Sequence, residues 1–265
     1  METNEGCKLI INADDFGLNA EVNASILKSI NEGLVTTTTM LVNLEGFDDA
    51  CNIADQYSIK KRIGLHINLT EGVPLTDEMK RCTTFCDSEG RYIFRKNEKR
   101  IWWLNAEYRR TVYAEIEAQI RKCRGAGIEI SHADSHNHMH EEPGLILLFM
   151  QALRNNNIPY LRKLKNMSYH STLAKRSYRY AGNCFIDLYN RNSVGYFGSI
   201  EEYVNARSKR LLTDGSVVEV MVHPGRNISG KIIDVFTGEN LSELVLEELK
   251  CEKKISYADL RMKSV

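Results

Sequence analysis

The sequence predicts an α/β protein with a largely parallel sheet, either a barrel or an open doubly wound sheet. Two observations carry this. Apolar, β-branched runs alternate with amphipathic stretches over the whole 265 residues, the pattern of successive strand–helix units. Four of the apolar runs also end in, or carry near their end, an aspartate or histidine, and the carboxyl edge of a parallel sheet is where such proteins place their chemistry.

Lys8 to Ala13 (KLIINA) reads as a buried strand. Asn19 suits a helix cap, and Val22, Ile26, Leu27 and Ile30 share one face of a helix over about 20–32, with Gly33 at its end. Residues 35–42 (VTTTTMLV) predict a second strand by β-branching, 47–57 a helix and 62–69 a third strand. The stretch 76–105 breaks the rhythm: it is polar, carries Gly90 and ends in Ile-Trp-Trp-Leu, so it reads as an insertion into a single domain spanning 1–265. Helical spacing returns over 107–123 through Val112, Ile116 and Ile120. A fourth strand is expected over 128–134, a helix from Pro143 to Asn155, and a short strand over 158–162. Residues 165–212 suggest helices and loops. Residues 217–222 (VVEVMV) form a clear strand, and 241–251 a late helix.

Composition narrows the function. Lys+Arg and Asp+Glu are equal at 35 each, and no block of like charge occurs, which argues against a nucleic-acid or polybasic membrane surface. No apolar run approaches a membrane span, and METNEGCK lacks a secretory pattern. Seven scattered cysteines then read as reduced thiols in a cytoplasm. Cys82 and Cys86 are read as unrelated thiols, because a second metal-binding pair is missing.

Four of the seven histidines fall between positions 132 and 140, in Ser-His-Ala-Asp-Ser-His-Asn-His-Met-His. So many adjacent imidazoles need a partner such as a metal. Asp134 and His136 are two apart and would face the same way on an extended chain. Asp14 and Asp15 follow the first strand, His66 interrupts the apolar third strand, and His223 closes VVEVMV ahead of Pro224-Gly225. Two imidazoles with a carboxylate fit an open divalent site, and a second carboxylate beside it could take a proton from water. The residues therefore point to metal-assisted hydrolysis, of a substrate that spacing does not name.

Ala13-Asp14-Asp15-Phe16-Gly17, the stretch 64–75 (GLHINLTEGVPL), the stretch 134–140 (DSHNHMH) and Val222-His223-Pro224-Gly225 together resemble, in order, the YdjC-type carbohydrate deacetylases, over about residues 8–250. The resemblance implies a distorted (β/α) barrel of the glycoside hydrolase/deacetylase type. It implies hydrolysis of the N-acetyl group of an amino sugar or chitooligosaccharide, with release of acetate. It implies one divalent metal ion, magnesium or zinc foremost and manganese, cobalt or nickel acceptable, on Asp15, His66 and His136. Asp14 would be the general base and His223 the general acid. Arg162 falls where the family has an arginine near the site, and Asp134 would orient a ligand. Members are often dimers, so a homodimer is possible. Tyr92, Phe94, Trp102 and Trp103 either stack on sugar rings or pack the insertion.

Rival readings remain a different barrel metallohydrolase (an amidohydrolase or phosphoesterase) and a non-catalytic metal-dependent sugar-binding protein. A non-haem iron oxygenase shares the two-histidine, one-carboxylate set but sits on a β-sandwich barrel. Base and acid candidates beside the ligands favour the enzyme.

Overall fold

In β1 (Lys8–Phe16) Leu9 to Ala13 are wholly buried, as a strand covered on both faces requires. The structure is a computed structural model that describes residues 6–94, 99–167, 171–190, 193–245, 249 and 252–261. These pack as two units, the first taken from Met1–Asp14, Glu21–Thr38 and Arg162–Val265, the second from Asp15–Ala20 and Thr39–Leu161. The class is α/β, with parallel strand pairing.

In the first unit, β6 (Val217–Val222) lies parallel to β1 in register Lys8↔Val217 through Ala13↔Val222. β5 (Tyr196–Ser199) lies parallel to β6 from Tyr196↔Val218 to Ser199↔Met221. This register ends at Ala13↔Val222, so Asp14 and His223 each follow the last paired residue of their strand. Helix α1 (Ala20–Asn31) buries Ile26 and Ile30. Beyond β6, an antiparallel hairpin pairs β7 (Pro224–Arg226) with β8 (Ile232–Asp234). Two-residue β9 (Lys253–Lys254) pairs with the start of β1, and helix α9 (Tyr257–Arg261) buries Tyr257.

In the second unit, β3 (Ile63–Ile67) and β4 (Ala133–Ser135) are parallel, with His66 opposite Asp134. Strand β2 (Thr37–Met40) follows β3 in the sheet. Helix α4 (Ala106–Gly125), capped by Asn105 accepting from Tyr108 N, buries Val112, Ile116 and Ile120 as their spacing predicts. The same face carries two buried polar residues. Glu115 accepts from Leu75 N, Thr76 N and Thr76 Oγ1, and Gln119 brackets Asn68, accepting from its N–H and donating to its carbonyl. Asn68 Oδ1 in turn accepts from Thr70 N and Glu71 N. The loop after β3 is thereby fixed by side chains where a ladder has ended.

Several expected elements shift. The strand expected over 35–42 is confined to β2, because the Thr36 hydroxyl, not a backbone carbonyl, receives Ile11 N. The strand expected over 128–134 reduces to β4. Ser131 and Leu65 bond to Ile63 O and His132 O, but the His132 ring lies over Gly64 and regular pairing starts only at Ala133. The helix expected from Pro143 is α5 (Ile146–Asn155), since Gly144 N is held by Ile101 O outside it. The strand expected over 158–162 is a single bridge, Ala133↔Leu161. Residues 165–212 hold α6 (Leu173–Asn190), α7 (Ile200–Ser208) and the unexpected strand β5. The helix expected over 241–251 is seen as α8 (Leu241–Glu243), and positions 246–248, 250 and 251 lie outside the described residues.

Of the insertion aromatics, Tyr92 and Phe94 are buried, Phe94 against Phe85, whereas Trp102 and Trp103 are exposed. Cys82 and Cys86 are buried free thiols, and burial pushes the Cys86 thiol up to about 12. No helix among the described residues is long and apolar enough to cross a membrane.

Candidate active site

Asp15 departs from strand geometry. Its φ of 71 lies in the left-handed region, which aspartate tolerates better than most residues. Alternation along β1 therefore fails between Asp14 and Asp15, and the two carboxylates acquire separate surroundings.

In the second unit, one oxygen of Asp15 faces two imidazoles. His136 Nδ1 is 2.9 Å from Asp15 Oδ1 and His66 Nε2 is 3.2 Å from it. The two rings meet edge to face with centroids 5.4 Å apart. Behind His66, Asp134 Oδ1 lies 2.6 Å from Nδ1, and the Thr39 hydroxyl donates to Asp134 Oδ2 at 3.1 Å. A carboxylate on Nδ1 fixes the tautomer that leaves Nε2 as a donor to a cation, the usual support of a metal-bound histidine. His136 is not on an extended chain, as the Asp134–His136 spacing suggested. It opens a 3₁₀ turn in which Asn137 and His138 are left-handed, so its ring is aimed by the turn instead. His138 and His140 lie further along that turn, and the Ser135 hydroxyl is 2.6 Å from His140 Nδ1.

Glu71 was not anticipated from the sequence. Its Oε1 stands 3.2 Å from His136 Nε2, an ion pair. Burial alone would raise the Asp15 carboxyl, but the two imidazoles reverse this and hold it well below the usual carboxylate range. Burial likewise opposes charge on His136, and Asp15 and Glu71 overcome it, lifting that imidazole to about 9. Asp15, His66 and His136 each offer a ligand atom within 4.8 Å of the others. Two nitrogens and an oxygen, crowded and mostly buried, match the donor set of a divalent cation.

In the first unit, Asp14 is bound from two directions. Arg162 Nη1 and Nη2 donate to its two oxygens at 2.7 Å each, and Asn12 Nδ2 donates to Oδ1 at 2.7 Å. The guanidinium is wholly buried. It also donates from Nε to Glu219 Oε1 at 2.8 Å, and Tyr257 O–H donates to Glu219 Oε2 at 2.7 Å. His223 Nε2 is 3.8 Å from Asp14 Oδ2. Its backbone N–H donates to Asp234 Oδ2 at 2.8 Å, and its ring meets Phe236 edge to face. Glu219 had a visible signal, a charge in the middle of VVEVMV. Asp234 and Tyr257 lie where no periodic pattern exists.

The chain is 29% identical over 243 residues to a carbohydrate deacetylase of Brevibacillus brevis, covering 92% of this chain and 90% of that one. It is 30% identical over 246 residues to a carbohydrate deacetylase of Vibrio campbellii, covering 91% and 87%. Among solved structures, a putative cellobiose-phosphate cleavage protein of Enterococcus faecalis superposes with TM-score 0.71 at 22% identity, over 96% of this chain and 99% of that one, a likeness of fold. Residues 8–250 match the YdjC-like protein family, and the chain belongs to it.

Proposed function

We propose that the protein is a metal-dependent carbohydrate deacetylase that removes the N-acetyl group from an acetylated amino sugar or chitooligosaccharide. The observation that carries this reading is the Asp15–His66–His136 donor set with Asp134 behind His66. The names of the relatives supply the substrate class.

Asp15, His66 and His136 would hold a divalent ion, magnesium or zinc, which when bound polarises a carbonyl and acidifies water. Water attacks the acetamide carbonyl carbon and Asp14 accepts its proton. Arg162 and Asn12 fix the orientation of the Asp14 carboxylate. The departing nitrogen needs a proton, because an amide anion is a very poor leaving group. His223 delivers it, leaving the free amine and acetate.

The test is acetate release from a panel of N-acetylated sugars, with and without added divalent ions. Metal-dependent release supports the reading. Binding of the sugars without release by metal-loaded protein would overturn it in favour of a sugar-binding protein.

A further inference from the structure

The turn after β8 holds an exposed aromatic ring against His223. Asp234 Oδ1 accepts from Phe236 N at 3.0 Å and Thr237 N at 3.3 Å, while Gly238 N donates to Asp234 O at 2.8 Å. The other carboxylate oxygen accepts from His223 N, and Val235 N donates to His223 O at 3.0 Å. The place of Phe236 beside His223 is therefore set by backbone and carboxylate bonds on both sides. The two ring centroids are 4.3 Å apart with planes at 80°. Yet the phenyl group is 76% exposed.

A turn of this kind accepts any small polar residue. Leaving a phenylalanine in water forfeits about 1.5–3 kcal/mol of burial. The ring makes no hydrogen bond, so whatever covers it must offer an apolar face, and a pyranose does so through its axial C–H groups. Resting on the deacetylase reading above, we propose that Phe236 is the platform on which the acetamido-bearing sugar ring stacks, presenting its nitrogen to His223. A platform without polar atoms reads the ring and its flat face, not the individual hydroxyls. Cyclic hexosamines should be favoured over acyclic acetamides, with tolerance of hydroxyl configuration on the far face.

The experiment compares wild type, Phe236→Ala and Phe236→Trp on an N-acetylated chitooligosaccharide and on trifluoroethyl acetate, an acyclic activated ester. For Phe236→Ala, kcat/KM on the sugar should fall about tenfold, mainly through KM, equivalent to about 1.4 kcal/mol, while the ester changes by less than about twofold. Phe236→Trp should restore the sugar reaction. A loss on the sugar carried by kcat with KM unchanged would overturn the proposal, since Phe236 would then act through the acid His223, and so would equal losses on both substrates or no loss on either. Calorimetry of the same sugar in an Asp14→Asn background separates this from the deacetylase reading. Weaker binding on Phe236→Ala upholds the platform even if wild type releases no acetate, and unchanged binding defeats it whatever the turnover.

Discussion

Two buried polar clusters sit on either side of the Asp14–Asp15 peptide bond, and they are built on opposite principles. Around Asp14 the charges are matched: one guanidinium spans two carboxylates, and Asn12 and Tyr257 supply further donors. Around Asp15 the groups converge: two imidazole nitrogens meet a single carboxylate oxygen. The first cluster is complete as protein alone and rigidifies what it holds. The second has its lone pairs aimed at a common point, an arrangement a cation completes. Adjacent residues of one type thus do different work because their partners differ.

The largest effect should come from the acid. His223→Ala is expected to keep metal and fold while turnover on the amide falls roughly 10²–10⁴-fold. The loss should shrink on an acetyl ester with a good leaving group. Equal losses on both would point to a binding role. Next, Arg162→Met takes the shared guanidinium from the buried Asp14 and Glu219 carboxylates, which should cost about 3–5 kcal/mol in urea unfolding. A loss of about 1 kcal/mol or less would show that water reaches the cluster. Asp134→Asn touches only the crowded one. Affinity for a divalent ion, measured by competition with a chelating dye, should drop about 10- to 100-fold. Unchanged affinity would remove Asp134 from the support of His66. Smallest is Tyr257→Phe, expected to cost about 1 kcal/mol and to leave metal affinity intact. Altered metal binding in that variant would mean that the clusters are not separate.

The legible part of the site lay where a polar residue interrupts an apolar strand. His66 inside β3 and the aspartates near the end of β1 stood out by convergence: one buried histidine or one aspartate can be a core or capping residue, but several at strand ends point to a site. Glu71 did not, because its place depends on the Asn68 turn and Gln119, contacts between distant segments. The β7–β8 hairpin and its Asp234 were hidden for the same reason: three-residue strands carry too few side chains to show a period. His136 was found by residue type but misplaced in conformation, since the left-handed Asn137 and His138 replace the extended chain assumed for it. Strand β6 has the expected bounds because continuous burial leaves an apolar run, whereas β1 runs past the expected Ala13 to Phe16 and takes in both aspartates, whose polar side chains hide the strand's end.

The left-handed backbone at Asp15 also bears on redesign of the metal preference. Glycine, asparagine, aspartate and histidine visit such a φ more readily, as His138 does here, while glutamate and cysteine pay more for it before any ligand chemistry begins. Two residues on, Gly17 has φ 94, and an added Cβ would fall 2.4 Å from Leu41 O, so the backbone there has no room to relax a strained neighbour. Exchanging the ligand at position 15 to suit a softer ion should therefore yield poorly folded protein instead of a retuned centre. Position 66, in the middle of a regular strand, is the place where a thiolate or second carboxylate can be tried on its chemical merits.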